Sequence, residues 1–196
     1  MTLFEPWPGS VEYEGTVYPV YASFDRVLEA FSTYRRNDFS PAEKLDYVTF
    51  LLLGEDVPPN PGLLNAVFTA LDTTGAEKKI TGPRSFDFEQ DASAIRASFR
   101  AVYGMDLDEQ RGRLHWCAFL DLFRHLPEDC AFGRIVRIRT CKVPPATSHN
   151  REQVQALLRA KAAVRLQIPE EERQVQFQHG LMGLARAMRE MGEKRG

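Results

Sequence analysis

Cysteine is scarce in this sequence, with three among 196 residues, and no two of them stand at CxxC spacing. An odd count without that spacing speaks against a disulfide framework and fits the reduced thiols of a cytoplasm. Long apolar runs are missing too, so no segment reads as a membrane span. The opening residues MTLFEPWPGS put acid and proline where a signal peptide carries a basic and then an apolar stretch, which argues against export. Charge of one sign is not in excess: the formal net charge of -2 argues neither for a polyanion partner nor against one. The sequence also lacks a glycine-rich phosphate loop, a dinucleotide fingerprint, a nucleophile elbow, an HExxH helix and zinc-ribbon spacing. These gaps move the expectation away from catalysis, and no catalytic or cofactor-binding residue is assigned.

What is present is ordinary for a globular protein, at 43% hydrophobic and 27% charged. The length suits one domain with a sizeable core, or one domain and an arm, rather than two equal domains. The stretch from Phe86 to Arg139 reads as the hydrophobic centre. Phe88, Ala92, Ile95, Phe99 and Val102 recur at steps of four and three, which predicts a helix that Gly104 ends. Leu114, Trp116, Cys117, Phe119, Leu120, Leu122 and Phe123 surround the next helix axis, which predicts a buried helix with Trp116 in the core.

Elsewhere, Val11 to Tyr21 alternates apolar and polar residues around Glu14 and Gly15, the pattern of a short hairpin that must rest on a helical body. Ser23 is placed to cap a helix carrying Phe24, Val27, Leu28, Phe31 and Tyr34. Ser40, Pro41 and Glu43 spell a capping box before Leu45, Val48 and Leu52, and Gly54 is a natural stop. Prolines 58, 59 and 61 stiffen a turn before a helix bearing Leu64, Val67, Phe68 and Leu71. Residues of about 73–85 read as an exposed connector. Pro144 and Pro145 bar a continuous helix, and two helices follow, one from about Arg151 to Gln167 and one from Pro169 to about Met191.

The expected fold is therefore mainly α: a multi-helix single domain over 1–145 with a short N-terminal β-hairpin, and a C-terminal helical extension over 146–196. Phe177, Leu181, Leu184, Ala185 and Met188 form the apolar stripe of the last helix. Phe177, Leu181 and Met188 are its candidate partner-binding residues, because a methionine-rich stripe adapts to a partner. Packing on its own body or on a second copy explains the stripe equally well.

Three groups of polar residues invite a chemical reading. His115, Cys117, Asp121, His125, Asp129 and Cys130 are the nearest approach to a metal or nucleophile site. Two helical steps turn about 200°, so His115 and Cys117 diverge, and no metal site is assigned. Asp87, Glu89 and Asp91 read as capping carboxylates at a helix start. Arg134, Arg137, Arg139 and Lys142 read as the wet face of a helix backed by Phe132, Ile135 and Val136, with a strand over Ile135 to Thr140 as the competing assignment. Residues 151–196 hold nine Lys or Arg against six Asp or Glu, with one aromatic, Phe177. That is too sparse a basic face to make nucleic acid an expected partner.

The series YEGTVYPV, SFDRVLEAF, SPAEKLDYVTFLLL, FDFEQDASAIRASFRAVYGMDL, GRLHWCAFLDLFRHLPED and FGRIVRIRT spans nearly the whole chain. It resembles the bacteriophage gene-product-fifteen family of long-tailed phages and prophages. The chain departs at Cys117, where relatives often carry a second aromatic after the His-Trp pair. The resemblance implies a non-enzymatic protein of tail morphogenesis in the cytoplasm of the bacterial host, a tail assembly chaperone whose partner is the tail tape-measure protein. It is also compatible with self-association, and it involves no membrane and no cofactor. A structural component of the tail is the alternative, and a metal-binding or nucleic-acid-binding accessory protein is a more distant one.

Overall fold

A computed structural model of the protein describes residues 4–72 and 85–167. Most of the expected connector, the expected last helix, and with it Phe177, Leu181 and Met188, lie outside the described residues. The chain divides into two compact units, Met1–Cys141 and Lys142–Gly196. Among the described residues, the first unit contains β1 (Ser10–Tyr13), β2 (Thr16–Pro19), α1 (Phe24–Arg35), α2 (Pro41–Leu53), α3 (Pro61–Leu71), α4 (Ala92–Tyr103), α5 (Trp116–Arg124) and α6 (Ala131–Thr140). The second contains α7 (Arg151–Ala163), which ends a turn before the expected Gln167. The mainly α class with an N-terminal hairpin is as the sequence predicts.

β1 and β2 pair antiparallel with Val11 opposite Tyr18, joined by Glu14 and Gly15, both at positive φ. Two positive φ values in a two-residue loop give the strand twist that a hairpin needs, and glycine takes such a φ at little cost. The ribbon rests on α3, where Gly62 leaves room for the Tyr13 hydroxyl, and Val11, Tyr13 and Tyr18 join the core. Past the hairpin, the Tyr21 amide donates to Leu52 O and Arg26 Nη1 donates to Leu51 O, so two carbonyls at the end of α2 are satisfied from α1 and its approach.

The capping box of α2 forms in full: Glu43 N donates to Ser40 Oγ, and Ser40 N donates to the Glu43 carboxylate. Asn60 supplies a cap for α3 that the proline-rich turn had masked, its Oδ1 accepting from Gly62 N and Leu63 N. Ser23 stands at the α1 N-cap, yet its hydroxyl makes no capping bond. The Phe24 amide donates instead to Leu114 O, and Trp116 N donates to Ala22 O, so a backbone bridge ties the starts of α1 and α5 together.

Phe119 is the centre of the core. It is stacked on Phe24 at 5.0 Å, Phe99 at 5.4 Å and Trp116 at 5.7 Å. The same cluster takes in Val27, Val48, Leu52, Leu63 and Val67, so the hydrophobic centre extends well beyond 86–139 into α1, α2 and α3. Two helices, α4 and α5, depart from the expectation. Helix α4 begins at Ala92 and not at Phe88, because the Asp87 carboxylate folds the preceding residues into a turn by accepting from Glu89 N and Gln90 N. Its buried face carries Ala94, Ile95, Ser98 and Phe99, and leaves Val102 exposed. Helix α5 is one-sided, with Asp121 and Arg124 exposed and Leu120 and Leu122 only half-buried. Over Ile135 to Thr140 the helix is formed and the strand is not.

Candidate functional site

Most of the polar residues singled out in the sequence, Asp87, Glu89, Asp91, His115, His125, Cys130 and Arg139 among them, make structural contacts. Asp91 is buried and holds the equally buried Arg139 through both oxygens, at 2.6 and 2.7 Å. Arg139 therefore leaves the wet face expected for it, drawn inward from the last turn of α6 by the buried Asp91 carboxylate. Its guanidinium also donates to Ser85 O, and the Asp87 amide donates to Asp91. Asp87 and Glu89 meet Arg35 of α1 at 3.0 and 2.7 Å. The carboxylates of FDFEQDA thus tie α1 to the turn before α4, and that turn to α6, while Phe86 and Phe88 point inward against Phe123.

His115 is the N-cap of α5, with Nδ1 accepting from Cys117 N. That bond assigns the proton to Nε2, which donates to Pro8 O at 3.2 Å while the ring stacks on Trp7. Burial lowers its pKa from 6.5, so the neutral ring is the folded form. His125 turns back onto Asp121 O, and the Asp121 carboxylate lies against Arg124. Cys117 is buried and its thiol pKa is raised by burial, whereas Cys130 caps α6 by accepting from Gly133 N. Among the described residues no three His, Cys, Asp or Glu side chains gather where an ion could bind.

Among the described residues, open apolar surface is found along α1. Five apolar side chains at helical spacing make a stripe wider than one packing face can cover. The inward side takes the small Ala30 and Thr33, whose hydroxyl donates to Glu29 O, so α1 approaches its neighbours closely at no polar cost. Phe31 and Tyr34 are displaced outward and remain 42% and 45% exposed. A cleft of about 690 Å³ runs beside α1, floored by Phe24, Leu28, Ile95, Leu107 and Phe119 and walled by Phe88 and Ala92. A second recess of about 630 Å³ lies on the other side, lined by Tyr34, Pro41, Ala42, Leu45, Pro61, Leu64, Asn65 and Phe68. Phe31 borders both and stacks on Phe68 at 5.5 Å.

The family model described as Bacteriophage Gp15 protein matches residues 3–166 of this chain. The chain belongs to that family. The match covers both the α1 face and the FDFEQDA segment, so this Gp15-family protein carries its open apolar surface inside the shared region. No curated protein and no solved structure matches it. Among the described residues of this Gp15-family chain, no helix is long and apolar enough to cross a membrane. The α1 face went unnoticed in the sequence because its residues read as core. The signal that could have found it is the surplus of large apolar residues on α1 beside buried Ala30 and Thr33.

Proposed function

We propose that this Gp15-family protein is a non-enzymatic protein of phage or prophage tail morphogenesis. Its role is that of a tail assembly chaperone, binding the tape-measure protein in the host cytoplasm. The observation that carries the reading is the pair of apolar recesses flanking α1 in a protein of a phage family. A tape-measure chain is long and largely helical, and it aggregates if its apolar stripe stays exposed. Many copies of a protein with an open apolar face keep such a chain soluble until tube subunits replace them. No side chain described above is poised for a reaction, which supports a binding role over catalysis.

The test is co-expression of the full chain with the tape-measure protein of the same phage or prophage, followed by size-exclusion chromatography with light scattering. A soluble complex holding many copies of this chain is expected. If the tape measure precipitates and this chain elutes at unchanged mass, the reading fails. Mass spectrometry of purified virions then tests the alternative: a structural tail component is found in the particle, and absence of this chain from it excludes that role.

A further inference from the structure

Helices α1 and α4, Phe119 of α5 and the turns holding Phe88 and Leu107 line one recess, and α1, α2 and α3 line the other. Neither hairpin strand contributes a residue to either lining. An extended segment laid there would meet no strand edge and would bury unpaired backbone groups, whereas a helix brings its hydrogen bonds with it. The shape of the site therefore selects a helical occupant.

Charge selects further. Every ionised group lining the α4-side cleft already has a partner within the protein. Asp25 accepts from Gly112 N, Glu29 accepts from the Tyr47 hydroxyl, and Arg35 holds Glu89. Arg96 and Arg111 both lie against Asp108, at 3.5 and 3.4 Å. Among the described residues, no charged one lines the recess on the α3 side. Nothing in either wall calls for a particular charge on the ligand.

We propose that the recesses form one docking site for an amphipathic α-helix of a partner protein, straddling Phe31 with one bulky apolar side chain on each side. The helix is recognised by apolar anchors and by no ionic contact. This inference rests on the reading of the α1 face as the partner site, and it names what that site takes.

The experiment uses the full chain and two fluorescent probes: a net-neutral amphipathic peptide of about five turns with leucines along one stripe, and overlapping peptides from the tape-measure protein. Anisotropy is expected to give saturable binding of the leucine peptide and of a subset of the tape-measure peptides. Affinity should change less than about threefold between about 50 and about 500 mM salt. Ser32→Glu in one recess and Asn65→Glu in the other should each weaken binding at least about tenfold, with far-UV circular dichroism unchanged. Loss in only one of these variants overturns the straddling geometry, and a steep salt dependence overturns apolar recognition. If tape-measure peptides bind and neither variant weakens them, this docking site is wrong while the chaperone reading stands. If the leucine peptide binds in the expected way and no tape-measure peptide does, the client is wrong and the docking site stands. If Phe31→Asp converts a self-associated wild type into a monomer, the occupant is a second copy of this chain and the proposal falls.

Discussion

Asp91 and Arg139 are each at most 9% exposed at the side chain, and both carboxylate oxygens are engaged. Removing one partner takes from the other buried charge the counter-charge it holds at 2.6–2.7 Å, which costs about 3–5 kcal/mol. Asp91→Ala is expected to lose stability in that range by urea denaturation, and the double variant with Arg139→Met should regain part of it because no bare charge remains. His115 gives a prediction with a pH sign. Its folded pKa is lowered from 6.5 because burial penalises the imidazolium, so near that pH the native state binds fewer protons than the unfolded one. Its contribution is full above the unfolded value and is lost as pH falls through the lowered folded value. Thermal midpoints between about pH 5 and pH 8 should show this limb, and His115→Asn, which keeps an acceptor for Cys117 N, should remove it. Neither role was legible in sequence. Arg139 shares a helix with Arg134 and Arg137, and only the tertiary position of Asp91 distinguishes it. His115 looked like one member of a ligand cluster, whereas its partners are Pro8, more than a hundred residues away, and an amide of its own helix.

At the scale of elements, local chemistry is readable wherever a cap lies in contiguous residues, as in the Ser40 to Glu43 box or the Gly104 stop. It is unreadable where one helix caps another. The first turn of α6 shows both: Cys130 accepts from Gly133 N, while Phe132 N donates to Ser98 Oγ of α4. Ser98 also donates to Ala94 O, so a hydroxyl in the middle of the core is fully engaged. A serine at a buried helical position carries no apolar signal, which is why the stripe read from the sequence ran through Val102 instead. Gly133 permits the same junction. A methyl group at Gly133 would overlap Pro127 O and lie 2.7 Å from Glu128 Cα and O, all backbone atoms that cannot step aside cheaply. Alanine in place of glycine within a helix gains up to about 1 kcal/mol, but overpacking against backbone costs about 1–3 kcal/mol. Gly133→Ala should therefore destabilise the fold by about 1–2 kcal/mol, read as a lower urea midpoint at unchanged slope.

For the whole molecule, the question is why a body with a closed aromatic core leaves Phe31 and Tyr34 at its surface. The inward side of α1 is taken by Phe24, Val27, Ala30 and Thr33, which leaves Phe31 and Tyr34 on its outer side. Covering a large apolar side chain is worth about 1.5–3 kcal/mol, so two or three such anchors give weak affinity per copy. Useful coverage of a long helical client then depends on many copies, each spanning one short stretch. A helix rises 1.5 Å per residue, so a long client extends far beyond what one copy can cover. The proposed chaperone role consequently predicts that tape-measure fragments of increasing length, co-expressed with the full chain, recruit copies in linear proportion to length. Light scattering of the purified complexes measures that ratio directly. A constant one-to-one ratio across fragment lengths would mean a single specific docking segment, and coating as the basis of solubility would have to be given up.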